Sequence, residues 1–307
     1  MRAWTALAAW CIAVLLGLTI AGCERAASTP SATQSAALRI ATTSPAVGVL
    51  LRDFGASDLA VGRSGWDVAL PSDVAVVGDA AGVDLESLLA AQPTHLYIES
   101  SGGPPEAAAR LADRAGFEIR TFPLVGLDDL IAIADDVHAL VSRDRDAGEP
   151  PSARFAEALR PDASLAGAGR VLVLMAGTPP AALGPGSVHQ EVLERIGGVA
   201  ALPEGRAYLP LDAEDVLAID PDAIVLLDPR ERGDPSAAAG DGTRLEAALG
   251  ILARLPITAI EDGRVALVDD PEVLMASTST LRYARELRAQ LERWRDERLW
   301  GAGEPPP

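Results

Sequence analysis

The sequence predicts a two-lobed α/β protein: two pseudo-symmetric units with central, mainly parallel sheets, joined by a long helical connector. Three observations predict this. Strand-like apolar runs alternate with helical periodicity along residues 38–124 and again along 168–300, the rhythm of parallel sheets covered by helices. Residues 125–167, between them, read as mainly helical. Finally, the sixteen residues VDLESLLAAQPTHLYI (Val83–Ile98) return as LDAEDVLAIDPDAIVL (Leu211–Leu226) at an offset of 128, with Asp84/Asp212, Glu86/Glu214, Leu89/Leu217, Ala90/Ala218 and Pro93/Pro221 identical. A helix–proline–strand grammar is common, but five identities in register within two similar halves point to duplication.

The first 22 residues are set apart from the fold. Arg2 is followed by an apolar run that closes on IAGC, the pattern of a secretory signal peptide. Ala21 and Gly22 before Cys23 resemble the lipobox of bacterial lipoproteins, which implies that Cys23 is lipidated and becomes the first mature residue. Residues 23–37, small, polar and broken by Pro30, read as a flexible tether. No later apolar run is long enough to span a bilayer.

Ordered structure is predicted to start at LRIAT. Strands follow at DLAVG, THLYIES and FEIRTF, with helices at VDLESLLAAQ, where Asp84 is the N-cap, and at PPEAAARLADRAG, ending on Gly116. Leu127, Leu130, Ile131, Ala134, Val137, His138 and Val141 recur at helical spacing. GEPP (Gly148–Pro151) interrupts that helix and SARFAEALR resumes it. The second unit then reads strand RVLVLMA, helix SVHQEVLERIGG, helix DAEDVLAID, strand AIVLLD, helix GTRLEAALGILARL, strand RVALVD and a long terminal helix from STST. Residues 301–307 (GAGEPPP) read as a frayed tail.

Composition excludes several functions. Apolar residues make up 49% of the chain, enough for a substantial core. A net charge of -18, from 44 acidic and 26 basic residues, argues against a nucleic-acid partner, whose phosphates need a basic surface. Only Cys11 and Cys23 are cysteines, and Cys11 lies in the leader, so the mature chain has no internal disulfide or thiolate cluster. There is no GxSxG, P-loop or HExxH motif to support an enzyme.

At this point the chain resembles the substrate-binding lipoproteins of ABC importers for cobalamin, haem and iron–siderophore complexes. The resemblance rests on the two repeated segments, on GSVHQEVLERIGG and LPITAIEDGRVALVDD, and on the final helix, and it covers almost all of the mature chain. It implies a monomer with a ligand cleft between its lobes and no catalysis. It also implies a dimeric permease with a cytoplasmic ATPase as partner, and a metal chelate or corrinoid as ligand. No resident cofactor is implied, since iron or cobalt would arrive inside the ligand. The GEPP break departs from the family's single uninterrupted connector helix.

In open α/β sheets ligands bind beyond the carboxyl ends of the strands. The loops predicted there are TTSPAV, GRSGWDVALP and ESSGGPP in the first lobe, and GTPPAALGPGS, GRAYLPLD, DPRERGD and DDPEVLMAS in the second. Trp66 and Tyr208 are the predicted ligand-facing aromatics, one from each lobe. Glu99 and Ser100 are predicted hydrogen-bond partners, with Tyr97 in the core. Arg63, Arg230 and Arg232 are candidates for ligand carboxylates, or else solvated loop charges. Among the histidines, which show no HxH or HxxxH spacing, His189 is the candidate for a ligand or haem iron. The family resemblance implies that Glu86 and Glu214 meet arginines on the two permease subunits. The simpler reading is that each only favours its helix N-terminus. An envelope sensor or scaffold of the same fold, and a metal-ion binding protein, are the other functions open to this sequence.

Overall fold

The computed structural model describes residues 37–229 and 241–301. From Leu38 onward the described chain forms one compact unit containing two sheets. In the first lobe the strand order is β4-β3-β2-β1-β5-β6, with β1 (Ile40–Thr42), β2 (Ala60–Ser64), β3 (Val76–Asp79), β4 (Gly82–Val83), β5 (His95–Glu99) and β6 (Glu118–Phe122). All neighbours are parallel except β3 and β4. In the second lobe the order is β10-β8-β7-β11-β12, with β9 (Val199–Ala200) also pairing β7. Here β7 (Arg170–Met175), β11 (Ala223–Leu227) and β12 (Val265–Val268) run parallel, while β8 (Ala181–Ala182) is antiparallel to both β7 and β10 (Leu209–Pro210). The five residues AIVLL of β11 are all buried, as expected for a central strand covered on both faces.

Helices cover the sheets. They are α1 (Pro45–Asp53), α2 (Leu85–Ala91), α3 (Glu106–Ala115), α4 (Leu127–Val141), α5 (Pro151–Ala158), α6 (Val188–Ile196), α7 (Ala213–Ile219), α8 (Asp241–Leu249), α9 (Thr258–Glu261) and α10 (Ser279–Gly301). The segment TTSPAV, predicted as a cleft loop, is instead the end of β1 and the start of α1. Pro45 occupies the first helical position, where its fixed φ and missing N–H cost nothing.

α4 carries the apolar stripe that its sequence period requires. Leu127 and Leu130 belong to the core of the second lobe. Ile133, Ala134, Val137, Leu140 and Val141, further along the same stripe, belong to the core of the first. The connector does not continue as one helix. After Val141 the chain turns, His138 Nε2 donates to the Gly148 carbonyl at 3.1 Å, and Asp135 accepts the Ser152 N–H at 2.9 Å. α5 is thereby capped by α4 and folds back, placing Phe155 and Leu159 in the second-lobe core. The sequence break at GEPP is a real helix break.

The duplication is visible at the level of single hydrogen bonds. Asp84 caps α2 by accepting from the N–H groups of Glu86 and Ser87, and Asp212 caps α7 by accepting from Glu214 and Asp215. The two helices end on Gln92 (φ 46°) and Asp220 (φ 42°), the only non-glycine residues with positive φ among those described. Prolines 93 and 221 follow, as is common after such caps. At the head of β1, Arg39 donates to the carbonyls of Ala91 (2.7 Å) and Gln92 (2.9 Å). At the head of β7, Arg170 donates to those of Ile219 (3.1 Å) and Asp220 (2.5 Å). In each lobe a guanidinium satisfies the orphan carbonyls of the repeated helix and fixes it to the central strand.

Candidate functional site

Ligands of open α/β sheets lie beyond the carboxyl ends of the strands, which makes these edges the candidate site. In the first lobe the loops after β1 and β5 meet there: Ser44 Oγ donates to Glu99 Oε2 at 2.9 Å. Glu99 ends β5 and is exposed, whereas Ser44 is buried. Ser100 is tied into its own turn. Its Oγ donates to the Gly103 carbonyl at 2.9 Å and accepts the Gly102 N–H at 3.2 Å. Tyr97 is fully buried, as predicted, with its hydroxyl donating to Asp136 of α4 at 2.8 Å.

Trp66 stands two residues beyond β2 and is 71% exposed. Its loop is held from below. The Arg63 guanidinium donates to the carbonyls of Val74 (3.0 Å), Ser64 (3.3 Å), Asp67 (3.4 Å) and Ser72 (3.4 Å). Those bonds occupy Arg63 inside the loop, so it is not the ligand-facing charge that the sequence suggested. Asp67 Oδ1 accepts the N–H groups of Ala69 and Leu70 at 2.9 and 2.7 Å. Its Oδ2 is buried with no hydrogen-bond partner among the described residues. Gly48 leaves the room for it, because a Cβ there would stand 1.6 Å from Asp67 Oδ2. Burial raises the Asp67 pKa above the ordinary carboxylate value, against the lowering effect of its backbone hydrogen bonds and of Arg63 and Arg52.

In the second lobe a cavity of about 880 Å³ opens at the carboxyl ends of β7 and β11, lined by Gly177, Thr178, Pro180, Asp228, Arg244 and Ile251 among others. Arg244 of α8 is buried between the aspartates that end two strands, donating to Asp269 at 2.6 Å and Asp228 at 3.3 Å. Sequence reasoning missed Arg244. Its signal was an arginine inside the apolar stripe of a helix, opposite two strand-terminal aspartates. Tyr208 is 53% exposed, but it precedes the outer edge strand β10. Leu209 is level with Ala182, which is level with Leu174, so Tyr208 falls short of the sheet's carboxyl tip, at its margin. No ring contact among the described residues joins it to Trp66. Arg230, Arg232 and Cys23 lie outside the described residues.

His189 is corrected from ligand candidate to core residue. It is 7% exposed, its Nε2 donates to the Val273 carbonyl at 2.7 Å, and its ring meets Tyr283 edge-on at 5.1 Å. α6 turns this face inward, so nothing of the imidazole is offered to a ligand. His95 pairs with Glu118 at 3.4 Å and His138 with the Gly148 carbonyl. No group of three or more His, Cys, Asp or Glu side chains among the described residues is placed to hold a metal ion.

Glu86 and Glu214 are exposed in the first turns of α2 and α7 and form no ion pair among the described residues. Each helix runs down to the amino end of the strand that follows it, so its first turn lies toward the carboxyl edge of its sheet. The two glutamates therefore hold matching positions in the two lobes.

Two α/β lobes sharing one interlobe helix, each with a loop-lined carboxyl edge, define a two-lobed binding-protein architecture. The sequence profile of the periplasmic binding protein family matches residues 40–247, and the chain belongs to that family. No curated protein matches the sequence. Among solved structures it is similar to the periplasmic heme-binding protein HutB of Vibrio cholerae, with 21% identity, a TM-score of 0.62 and coverage of 83% of this chain and 98% of that one. The vitamin B12-binding protein BtuF of Vibrio cholerae aligns at 19% identity and TM-score 0.60, over 83% and 97% of the two chains. The siderophore-binding protein FhuD of Vibrio cholerae, solved with Fe3+-Desferal, gives 19% and 0.59, over 84% and 98%. These likenesses establish the fold. Membership implies an extracytoplasmic location, and among the described residues no helix is long and apolar enough to cross a membrane.

Burial pushes the His189 pKa below the ordinary imidazole value, more than its bond to Val273 raises it. The unfolded chain takes up this proton near pH 6.5, while the folded chain resists it. Stability is therefore expected to hold above about pH 6.5 and to decline as pH falls below it toward the depressed folded pKa. Denaturant midpoints at about pH 7.5, 6.5 and 5.5 measure this, and His189→Gln should flatten the decline. An unchanged pH profile in that variant would show that other groups set it.

Proposed function

We propose that this protein is the solute-binding component of an ABC importer. It takes a cobalamin-like corrinoid or an iron complex, siderophore or haem, between its lobes and delivers it to a dimeric permease driven by a cytoplasmic ATPase. The observation that carries this reading is Trp66: a 71% exposed indole at the carboxyl rim, on a loop pinned by Arg63 and Asp67. An apolar plate held rigidly in water suits a flat or apolar ligand face, and a pre-ordered loop spares the entropy of fixing it on binding. Tyr208 would contribute at the rim of the opposite lobe, and Glu99 would offer an acceptor. The engagement of all three histidines favours a ligand that needs no imidazole from the protein, a corrinoid or ferric chelate, over a haem held by histidine. Titration with aquocobalamin, ferric desferrioxamine and haemin, followed by absorbance and tryptophan fluorescence, tests this. One of the three should saturate at one equivalent, and Trp66→Ala should weaken it about tenfold. Failure of all three overturns the ligand class; an unchanged affinity in the variant removes Trp66 from the site.

Cys23 would anchor the chain to a membrane through its lipid, with residues 24–37 as tether. An acyl mass on the purified protein, and its loss with release from membranes in Cys23→Ser, is the expected result. A wild-type protein free of acyl groups refutes it.

Glu86 and Glu214 would meet basic groups on the two permease subunits. The Glu86→Arg/Glu214→Arg variant should keep its ligand affinity and melting behaviour while uptake falls, and wild-type association should weaken with salt. Capping alone predicts the opposite, a small loss of stability with uptake intact.

A further inference from the structure

Comparing α2 with α7 position by position shows where the duplicated sequence has been kept. Each helix has seven residues. The pairs that pack against the sheet have diverged: Leu85 stands against Ala213, Leu88 against Val216 and Ala91 against Ile219. The pair that serves the cap has diverged too. Ser87 donates its hydroxyl to Asp84 at 2.6 Å, whereas Asp215 accepts the Asp212 N–H at 3.0 Å. The three remaining pairs are identical, Glu86/Glu214, Leu89/Leu217 and Ala90/Ala218, and all six residues are exposed.

If fold alone governed the copies, the packed positions would be kept and the wet ones free to drift. Within the two helices themselves, between cap and proline, the reverse has happened. The kept residues stand at i, i+3 and i+4, which puts them on one face of each helix. That face includes a leucine 53% exposed in α2 and 38% exposed in α7. Glutamate, leucine and alanine are good helix formers, but lysine, glutamine and arginine would serve as well without exposing a side chain this apolar.

We propose that Leu89 and Leu217, with Ala90 and Ala218 beside them, are the apolar half of a two-part docking surface whose occupant is the two-fold permease dimer. The proposal rests on the importer reading above and adds to it a pair of contacts that the acidic residues do not supply. Each leucine enters an apolar depression on one subunit, and the alanine next to it lets that subunit approach the helix closely. Glu86 and Glu214 sit one turn away on the same face, with no ion pair among the described residues, so the partner presents basic groups at that point. This charge pattern selects the occupant. A second copy of this chain would set glutamate against glutamate, and an anionic lipid surface would be repelled by a protein of net charge -18.

The test measures association of the full-length chain with its purified permease–ATPase complex in nanodiscs by surface plasmon resonance. The variants are Leu89→Gln, Leu217→Gln, the double Leu→Gln, and Glu86→Gln/Glu214→Gln. Glutamine keeps helix propensity and removes the apolar surface, so melting and ligand affinity should be unchanged. Each single leucine variant should bind about threefold to tenfold more weakly and the double about tenfold to a hundredfold. The salt dependence of the double leucine variant should match the wild type, while that of the glutamate variant should flatten. Binding by the double leucine variant within about twofold of a wild type that does bind overturns this proposal and leaves the importer reading standing. A wild type that does not bind the complex at all overturns both. Sedimentation showing wild-type dimers that the leucine variant dissolves would assign the surface to a second copy and overturn the permease as occupant.

Discussion

The arrangement of the two lobes depends on one apolar stripe. A helix of 15 residues is about 22 Å long, enough to reach from one lobe core to the other but too short to act as a free arm. α4 gives its first residues, Leu127 and Leu130, to the second-lobe core and those from Ile133 onward to the first, so no change in lobe angle leaves both packings intact. Close-packed cores do not deform continuously. Polar contacts reinforce this: the Leu127 N–H donates to Glu191 of α6 at 2.6 Å, and Arg52 of α1 reaches across to Glu272 at 2.9 Å. Glu272 is 4% exposed, and a carboxylate so buried is costly to leave without its partner. Asp53, beside Arg52, accepts from Thr278 in the same second-lobe segment. The lobes are held along one side by core and ion pair together.

The loops at the carboxyl edges are held by their own hydrogen bonds, and the first-lobe loop shows how. Arg63 would be a poor ligand contact, because four carbonyls already share its guanidinium. Its value lies in closing the loop around itself so that Trp66 projects from a fixed base. Asp67 contributes from the other side at a cost, its second oxygen buried against Gly48 and unpartnered. A buried polar atom left without a partner is destabilising, and such costs persist mainly where something else depends on the geometry. Arg244 plays a comparable part in the second lobe, drawing together the aspartates after β11 and β12.

Which of these features could be read from the sequence follows from how local their causes are. Helix starts and stops depend on one or two residues, and Asp84 and Gly116 announced them. The long apolar strands carried their own period. The short strands β3, β4, β8, β9 and β10 did not, because two to four residues are too few to show alternation. α1 was missed because Pro45 looks like loop punctuation unless it is placed at a first helical turn. Trp66 stood out in the sequence because a large aromatic in a glycine-containing loop is conspicuous, and the structure leaves it exposed. His189 misled because SVHQ follows a glycine-rich loop, and only tertiary packing shows that α6 turns it toward Val273 and Tyr283. The partners of Arg63 span eleven residues of loop whose path no sequence period encodes.

The duplicated helices separate two kinds of constraint. What the fold needs from them is mechanical: an aspartate to start, a left-handed residue to stop, a proline to turn into the strand, and an arginine at the head of the neighbouring strand to hold the free carbonyls. Different residues meet part of that need in the two lobes, with Gln92 where Asp220 stands and Ser87 where Asp215 stands. The packed positions were free to change because each lobe closes its own core around them, with leucine, leucine and alanine in one and alanine, valine and isoleucine in the other. Nothing inside either lobe requires the exposed glutamate, leucine and alanine to agree with those of the other. A body that meets both lobes in the same way would require that agreement, and under the docking proposal that body is the two-fold permease.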